Sequence, residues 1–236
     1  MAIRPGATVT QQNGNTVPTH TGPAEGDVVV QIIEWFKRHR RVAITVVAVL
    51  AVAGASAWFV IAARRRKANF AARALQEAQS AVAAGNGALA MSDLSRLATT
   101  YGGTPAANEG AIFLGQLRLS SGQVDSAIVE LQAFTESGPS PRYRAAAYHL
   151  LGAALEQKGR MAEAAKAYQQ AADTWPYDYL RAQALLDAGR AYRAAGDSTQ
   201  AVAAYERILR DFSKSPSATE AEVRLGELGH PSLPPS

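Results

Sequence analysis

Several columns of similar residues recur every 37 positions along the chain. Glycine recurs at Gly85, Gly122, Gly159 and Gly196. In the same register follow an alanine column (Ala90, Ala127, Ala164, Ala201) and a column of larger residues (Leu94, Leu131, Tyr168, Tyr205). A further column, which lies upstream of the glycine column in every unit, holds Ala78, Gly115, Gly152 and Gly189. Columns at one fixed period indicate a stack of similar units, each burying its apolar face against its neighbours.

Each unit has the pattern of two helices joined by a turn. The column that contains Gly159 falls where the first helix must end, and glycine adopts the left-handed conformation that such a C-cap requires. The small residue upstream lets the second helix approach closely, and the alanine and Leu/Tyr columns fill that contact. Pro139 and Pro176 end the second helix of their units, because proline cannot continue a helix. The sequence therefore predicts an all-α solenoid of about four hairpins, with the final ATEAEVRLGELG as a capping helix.

These columns resemble the tetratricopeptide repeat. The third unit carries the whole pattern as Leu151, Gly152, Gly159, Ala164, Tyr168, Ala171 and Pro176. The match covers about residues 68–229, and it implies a protein-binding scaffold without specifying what is bound. Because the family repeat is typically about 34 residues long, we expect the additional residues of each unit to lengthen the turn between units.

The resemblance also implies a concave face lined by the first helix of each unit. In this chain the candidate groove residues are Ile112, Gln116, Leu119, His149, Glu156, Gln157, Gln183, Leu186, Arg190 and Arg193. They suggest an apolar floor with a basic patch near the C-terminal end, and an ordinary solvated helix face is the alternative. The Asn/Lys/Arg carboxylate clamp of the chaperone-binding members is missing from these positions, so the resemblance does not imply capture of an acidic C-terminal peptide.

Residues 42–63 form an uncharged run of 22 residues, VAITVVAVLAVAGASAWFVIAA. A helix of that length rises roughly 33 Å at about 1.5 Å per residue, enough to cross a bilayer core. The alternative, a buried helix of a soluble protein, would require protein on every side. The run starts too late and is too long for a cleavable signal peptide, and RRRK follows it in place of a small-residue cleavage site. We therefore expect a single transmembrane helix that acts as a signal anchor.

Basic residues flank this run in equal number. Lys37, Arg38, Arg40 and Arg41 precede it, and Arg64, Arg65, Arg66 and Lys67 follow it. Without these eight residues the formal charge changes from +4 to −4. We therefore assign the basic excess to lipid headgroups and not to a nucleic-acid surface. Because four basic residues lie on each side, the positive-inside rule favours neither orientation of the membrane helix.

The remaining segments complete the predicted organisation. Residues 1–26 are polar and poor in large apolar residues, which predicts a disordered arm. Residues 27–41 place Val29, Ile32, Ile33 and Phe36 on one helix face, as in an amphipathic basic juxtamembrane helix or a simple extension of the membrane helix. The repeat domain is predicted over 64–229, and a flexible tail over 230–236.

The sequence offers no pattern for catalysis, a metal or a cofactor. It contains no cysteine, which excludes a disulfide framework and thiol chemistry. The four histidines are scattered without ligand partners at helical spacing, and no phosphate-binding or dinucleotide-binding loop is present. We interpret Asp173, Asp178 and Asp187 as caps or surface charges. The chain is therefore expected not to be an enzyme.

The layout as a whole resembles the YfgM-like family of ancillary Sec translocon subunits. That resemblance implies a cytoplasmic N-terminus, a bacterial inner-membrane anchor and a periplasmic repeat domain that meets translocon subunits, periplasmic chaperones and exported clients. Two alternatives stay open. One is a structural organiser of an envelope or cell-division complex that self-associates through close packing at Gly54, Ala55 and Ser56, and the other is a repeat domain facing the cytoplasm.

Overall fold

The computed structural model describes Val30, Glu34, Trp35, Arg38 and residues 40–229, without the side chains of Arg40 and Ala43. The predicted arm at 1–26, most of 27–41 and the tail at 230–236 lie outside the described residues. The described residues before Arg40 are helical and exposed. Within the described residues all regular structure is α-helical.

Nine helices follow one another along residues 40–229. They are α1 (Arg40–Ala83), α2 (Gly87–Thr100), α3 (Pro105–Ser120), α4 (Val124–Glu136), α5 (Pro141–Gln157), α6 (Met161–Thr174), α7 (Asp178–Ala194), α8 (Ser198–Asp211) and α9 (Pro216–Glu227). We call α1, α3, α5, α7 and α9 the A helices and α2, α4, α6 and α8 the B helices. The described part of the chain is thus an all-helical solenoid of four hairpins and a final helix.

The chain divides into two units, Met1–Val60 and Ile61–Ser236. Helix α1 begins in the first and ends in the second. In the first unit the apolar residues of α1 are exposed, with Leu50 at 66% and Trp58 at 70%. From Ile44 onward this helix is long and apolar enough to cross a membrane, and protein buries none of its most apolar stretch. It is therefore a candidate membrane span by length and composition.

In the second unit each helix from α2 to α9 packs against the next one along the chain. The A-helix pairs α3–α5 and α7–α9 are also in direct contact. The alanine column lies at the centre of these contacts, since Ala90, Ala127, Ala164 and Ala201 are fully buried. One apolar core joins the last turns of α1 to α2 and α3, and a second, larger core runs from α4 to α9.

The glycines of the two columns have different roles. Gly85, Gly122, Gly159 and Gly196 have φ between 72° and 81° at the turn that follows an A helix, so the predicted caps are confirmed. Gly152 lies inside α5, where an added Cβ would stand 2.6 Å from the Tyr168 ring. The same position in α3, Gly115, would place a Cβ 2.9 Å from Leu131. The close helix approach predicted for this column is therefore present.

The predicted long turn between units is wrong. The turns from B to A helices span only 101–104, 137–140, 175–177 and 212–215. Within each of the last two hairpins the A helix is the longer one, since α5 and α7 have 17 residues while α6 and α8 have 14.

Candidate functional site

The A helices form a cleft of about 300 Å³ near the first hairpins of the solenoid. It is lined from α1, α3, α5 and the turn before α7 by Gln79, Glu109, Ile112, Phe113, Gln116, Arg142, Tyr143, Ala146 and Trp175. Two predicted groove residues, Ile112 and Gln116, are brought together there. The cleft is a recess with aromatic and aliphatic walls, which suits an apolar side chain of a polypeptide.

Local structure holds the walls of this cleft in place. Helix α3 begins after Thr104, whose hydroxyl accepts the Ala107 N–H at 3.2 Å as an N-cap. Trp175 stands where α6 ends, because Pro176 follows it and cannot continue the helix. The Arg142 guanidinium lies 4.6 Å from the Tyr143 ring centroid and donates to its hydroxyl at 2.7 Å. The cation is thereby held on the rim by an aromatic partner.

Further along the A helices, α5 and α7 are joined by a polar network. The His149 Nε2 is 3.0 Å from the Asp187 Oδ2. The Arg190 guanidinium lies 3.1 Å from the Glu156 carboxylate and 3.3 Å from that of Asp187. The Tyr168 hydroxyl of α6 donates to the Glu156 Oε2 at 2.8 Å. Asp187 is therefore a partly buried member of an inter-helix network, and its interpretation as a cap or surface charge is wrong.

The network shifts the ionisation of two of its members. Burial raises the pKa of Asp187, but the hydrogen bond and charge of His149, together with Arg190, outweigh it and hold that pKa below its ordinary value. Burial and then the Glu156 carboxylate raise the pKa of Tyr168. Tyr168 is accordingly a neutral hydrogen-bond donor near pH 7, and Asp187 is a carboxylate.

The other predicted groove residues are placed unevenly. Gln157, Gln183 and Arg190 are exposed, whereas Leu119 is partly buried against the core. Leu186 is 7% exposed and belongs to the core, so it does not line a groove. It packs instead in the apolar core that runs from α4 to α9.

The predicted basic patch at the C-terminal end is wrong as a patch of free charge. Arg190 pairs with Glu156 and Asp187, and Arg193 pairs with Glu227 of α9. Cations and carboxylates thus alternate along this face. Its surface is polar and electrostatically mixed.

Sequence reasoning missed the aromatic side of the cleft. Phe113, Tyr143 and Trp175 line it with Ile112. The sequence feature that could have indicated this wall is the WPY tripeptide at 175–177, where two aromatic residues flank a helix-ending proline.

A second cavity of about 800 Å³ was also not predicted from the sequence. It lies between α2 and α4 over α3, with Leu114, Leu131 and Phe134 among its lining residues.

The predicted lipid-facing residues include one with a role in the fold. Arg38, Arg41 and Arg64–Arg66 are exposed. Lys67 instead donates from its Nζ to the Gly102 carbonyl at 3.0 Å, in the turn between α2 and α3. Lys37 and the Arg40 side chain lie outside the described residues. Among the described residues, no three side chains of histidine, aspartate or glutamate are grouped so that together they could hold a metal ion.

A family model described as the tetratricopeptide repeat-like domain matches residues 34–230. The chain belongs to the tetratricopeptide repeat-like family. Domains of this family generally bind other proteins, and the mixed A-helix face of this member is a surface on which they could do so. Among the curated proteins, none matches the chain.

Two solved structures are similar to parts of this tetratricopeptide repeat-like domain. A tetratricopeptide repeat protein from Parabacteroides merdae is similar with a TM-score of 0.54 and 15% identity over 67% of this chain. The match spans only 60% of that protein's length. MamA is similar with a TM-score of 0.49 and 21% identity, covering 64% of this chain and 84% of that protein. At 15% identity, the likeness to the Parabacteroides merdae protein concerns the fold alone.

Proposed function

We propose that this chain is a membrane-anchored scaffold that binds other proteins through its A-helix face. The observation that carries the proposal is the cleft that gathers Ile112, Phe113, Tyr143 and Trp175 from separate hairpins. Aromatic walls with a polar rim are typical of protein recognition sites, because they bury apolar side chains while polar groups fix orientation. The exposed apolar part of α1 supports the anchor, since an aqueous solvent would penalise such a surface.

The finer proposal follows the likeness to the YfgM-like family. The chain would be an ancillary translocon component of the bacterial inner membrane that meets periplasmic chaperones and newly exported proteins. Its N-terminus would be cytoplasmic and its solenoid periplasmic. It would act by binding and not by catalysis, and its basic flanks would rest on lipid headgroups. The polar rim of the cleft suits transient contact with several partners, because such contacts bury little apolar surface.

Crosslinking in cells tests the binding face. A photoreactive residue replaces Gln116, which is exposed beside the cleft, and a matched variant carries it at Gln170, an exposed glutamine of α6. We expect adducts with secretion subunits, chaperones or exported proteins from Gln116 and far fewer from Gln170. Equal adducts from both positions would contradict the assigned face. A third variant carries the photoreactive residue at Asn108, which lines the cavity between α2 and α4. Adducts from this variant alone would place the binding surface at that cavity and contradict the assigned face.

A topology reporter fused after Ser236 tests the anchor and the orientation. Activity only on the periplasmic side supports the translocon proposal, whereas activity only in the cytoplasm contradicts it. If Gln116 yields mainly adducts between two copies of this chain, the self-associating organiser is the better description. Sedimentation of the detergent-solubilised chain checks that result independently.

A further inference from the structure

The polar network between α5 and α7 has a counterpart one repeat later with opposite charges. Moving 37 residues along the chain converts Glu156 into Arg193, Asp187 into Arg224, and Arg190 into Glu227. In the first network two carboxylates share the Arg190 guanidinium. In the second, the guanidinium groups of Arg193 and Arg224 share the Glu227 carboxylate. The second network therefore spans α7 and α9 with the signs reversed.

The reversal leaves one buried hydroxyl without an acceptor. Tyr168 donates to Glu156 in the first network. Tyr205 occupies the same register in the second network, and there Arg193 stands at the position equivalent to Glu156. Tyr205 is fully buried, and its hydroxyl has no hydrogen-bond partner among the residues that the structure describes. A guanidinium has no acceptor atom, so Arg193 cannot take over the role of Glu156.

Three arginine side chains act electrostatically on this buried hydroxyl. Burial raises the pKa of Tyr205, while the charges of Arg193, Arg224 and Arg190 act in the opposite direction and Glu220 adds to the rise. Three cations are thus near enough to influence the phenol. In the described part of the chain, Arg193 makes a hydrogen bond only to Glu227, through Nη1, and its other N–H groups are unused. Arg193 is 38% exposed along its side chain, so this end of the site opens to solvent.

We infer that Tyr205 and Arg193 form a binding site for a carboxylate supplied by a partner polypeptide, as an aspartate or glutamate side chain or a chain terminus. The carboxylate would accept the Tyr205 O–H and an unused Arg193 N–H, which restores the arrangement that Glu156 provides to Tyr168. Arg193 would turn outward to admit it, because the hydroxyl is covered in the present arrangement. This inference rests on the proposed protein-binding function and gives that function a chemical preference.

The position of the site fits a partner that lies along the A helices. The apolar cleft is formed by α1, α3, α5 and the turn before α7, the first network joins α5 to α7, and the site combines Arg193 of α7 with Tyr205 of α8. A bound segment would therefore meet the apolar recess first and the carboxylate site later, at the C-terminal end of α7 where Arg193 is partly exposed. A buried water molecule that accepts from Tyr205 is the competing explanation, and it predicts no dependence on the charge of a ligand.

Titration of the full chain in detergent, with isotope-labelled tyrosine followed by NMR, tests the inference. The probes are acetate, inorganic phosphate, the peptide Ac-Ala-Glu-Ala-NH2 and its neutral analogue Ac-Ala-Gln-Ala-NH2. The Tyr205 ring signal is assigned with Tyr205→Phe, and Tyr168 is an internal control because its hydroxyl already has Glu156. We expect a saturable shift at Tyr205 with acetate and the glutamate peptide, about tenfold weaker with the glutamine peptide because a charge-assisted hydrogen bond is lost.

Two variants sharpen the test. Arg193→Glu recreates the Glu156–Tyr168 arrangement within the chain and should abolish the shift at Tyr205 while leaving the Tyr168 signal unchanged. Arg193→Lys, which keeps the charge but loses the planar fork, should weaken the acidic peptide without abolishing it. Equal responses to both peptides, no saturable response, or saturation by phosphate alone would each overturn the carboxylate site. If acidic peptides bind but crosslinking at Gln116 captures no partner, the carboxylate site is supported and the proposed function is contradicted. If crosslinking at Gln116 captures partners but acidic peptides do not bind, only the carboxylate site is contradicted.

Discussion

Replacing Gly152 with alanine tests how closely the two helices of the third hairpin approach. An alanine Cβ would lie 2.6, 2.7 and 2.8 Å from the Cε1, Cδ1 and Cζ atoms of Tyr168. Unstrained carbon pairs are separated by about 3.5 to 4.0 Å, so the ring or a helix would have to move by about 1 Å. The ring is 2% exposed and its hydroxyl is held by Glu156, which leaves it little freedom to do so.

Two opposing contributions set the expected magnitude. Overpacking of this kind costs about 1 to 3 kcal/mol. Alanine in place of glycine inside a helix contributes up to about 1 kcal/mol in the other direction. We therefore expect Gly152→Ala to lower the free energy of unfolding by about 1 to 2 kcal/mol. Gly152→Leu should cost several times more, since a longer side chain enters the same space.

Gly226→Ala is the matched control. Gly226 lies in α9, and an added Cβ there meets no atom within 4 Å. This variant should be neutral or more stable by up to about 1 kcal/mol. Denaturant unfolding of the solubilised chain, followed by circular dichroism, measures both variants. Hydrogen exchange of the α5 and α6 amides then localises the loss, because repeat stacks often unfold in parts.

The first hairpin supplies a rescue. It carries Ala78 and Leu94 where the third carries Gly152 and Tyr168, and both residues are buried in one core. The double variant Gly152→Ala/Tyr168→Leu should therefore lose less stability than the sum of its single variants, by about 1 kcal/mol. If Gly152→Ala behaves like Gly226→Ala, or if the two changes are additive, close contact is not the reason for glycine at this position.

Three further predictions follow from the repeat caps and the polar networks. Tyr168→Phe should lower the free energy of unfolding by about 1 to 2 kcal/mol, because it removes a hydrogen-bond donor to the Glu156 carboxylate. Tyr205→Phe should leave that free energy unchanged or raise it, because the Tyr205 hydroxyl has no partner among the described residues. Equal losses in the two variants would contradict the assigned partners. The pKa of Asp187 is lowered in the folded state, so its contribution to the free energy of unfolding is complete above the unfolded pKa of about 3.9 and is lost as pH falls through the folded pKa. The free energy of unfolding should therefore fall less steeply with decreasing pH in Asp187→Asn than in the unchanged chain. The same pH dependence in both would argue against the His149 pairing. Gly159→Ala places a Cβ at φ 72° and should cost about 1 kcal/mol in denaturant unfolding although no atom is near it; no loss would mean that the turn adjusts.

The solenoid was predictable because its columns repeat a local physical need. Each unit needs a residue that tolerates positive φ after the first helix, and glycine at Gly122 or Gly159 meets that need at a fixed spacing. The buried alanines repeat because helices in contact leave room for little else. Such requirements are met within one hairpin, so the residues that meet them are close in sequence.

The candidate site was only partly predictable, because it depends on contacts between hairpins. Ile112 and Gln116 were identified from their helix face, but Trp175 reaches the same cleft from a turn two hairpins away from α1. Leu186 shows the opposite failure. Its position in the repeat indicated a groove, yet Leu186 is buried in the core that runs from α4 to α9. Sequence register alone does not show how closely neighbouring helices pack over a residue.

Two glycine columns that look alike in the sequence also have distinct physical causes. Gly159 is required by its backbone angle, with open space where a Cβ would be, while Gly152 has ordinary helical geometry and a Tyr168 ring in that space. The first kind permits no L-residue without strain, whereas the second permits any change that is matched across the contact. The pairing of Ala78 with Leu94 is such a matched change, and it explains why the first hairpin departs from the column without losing its buried core.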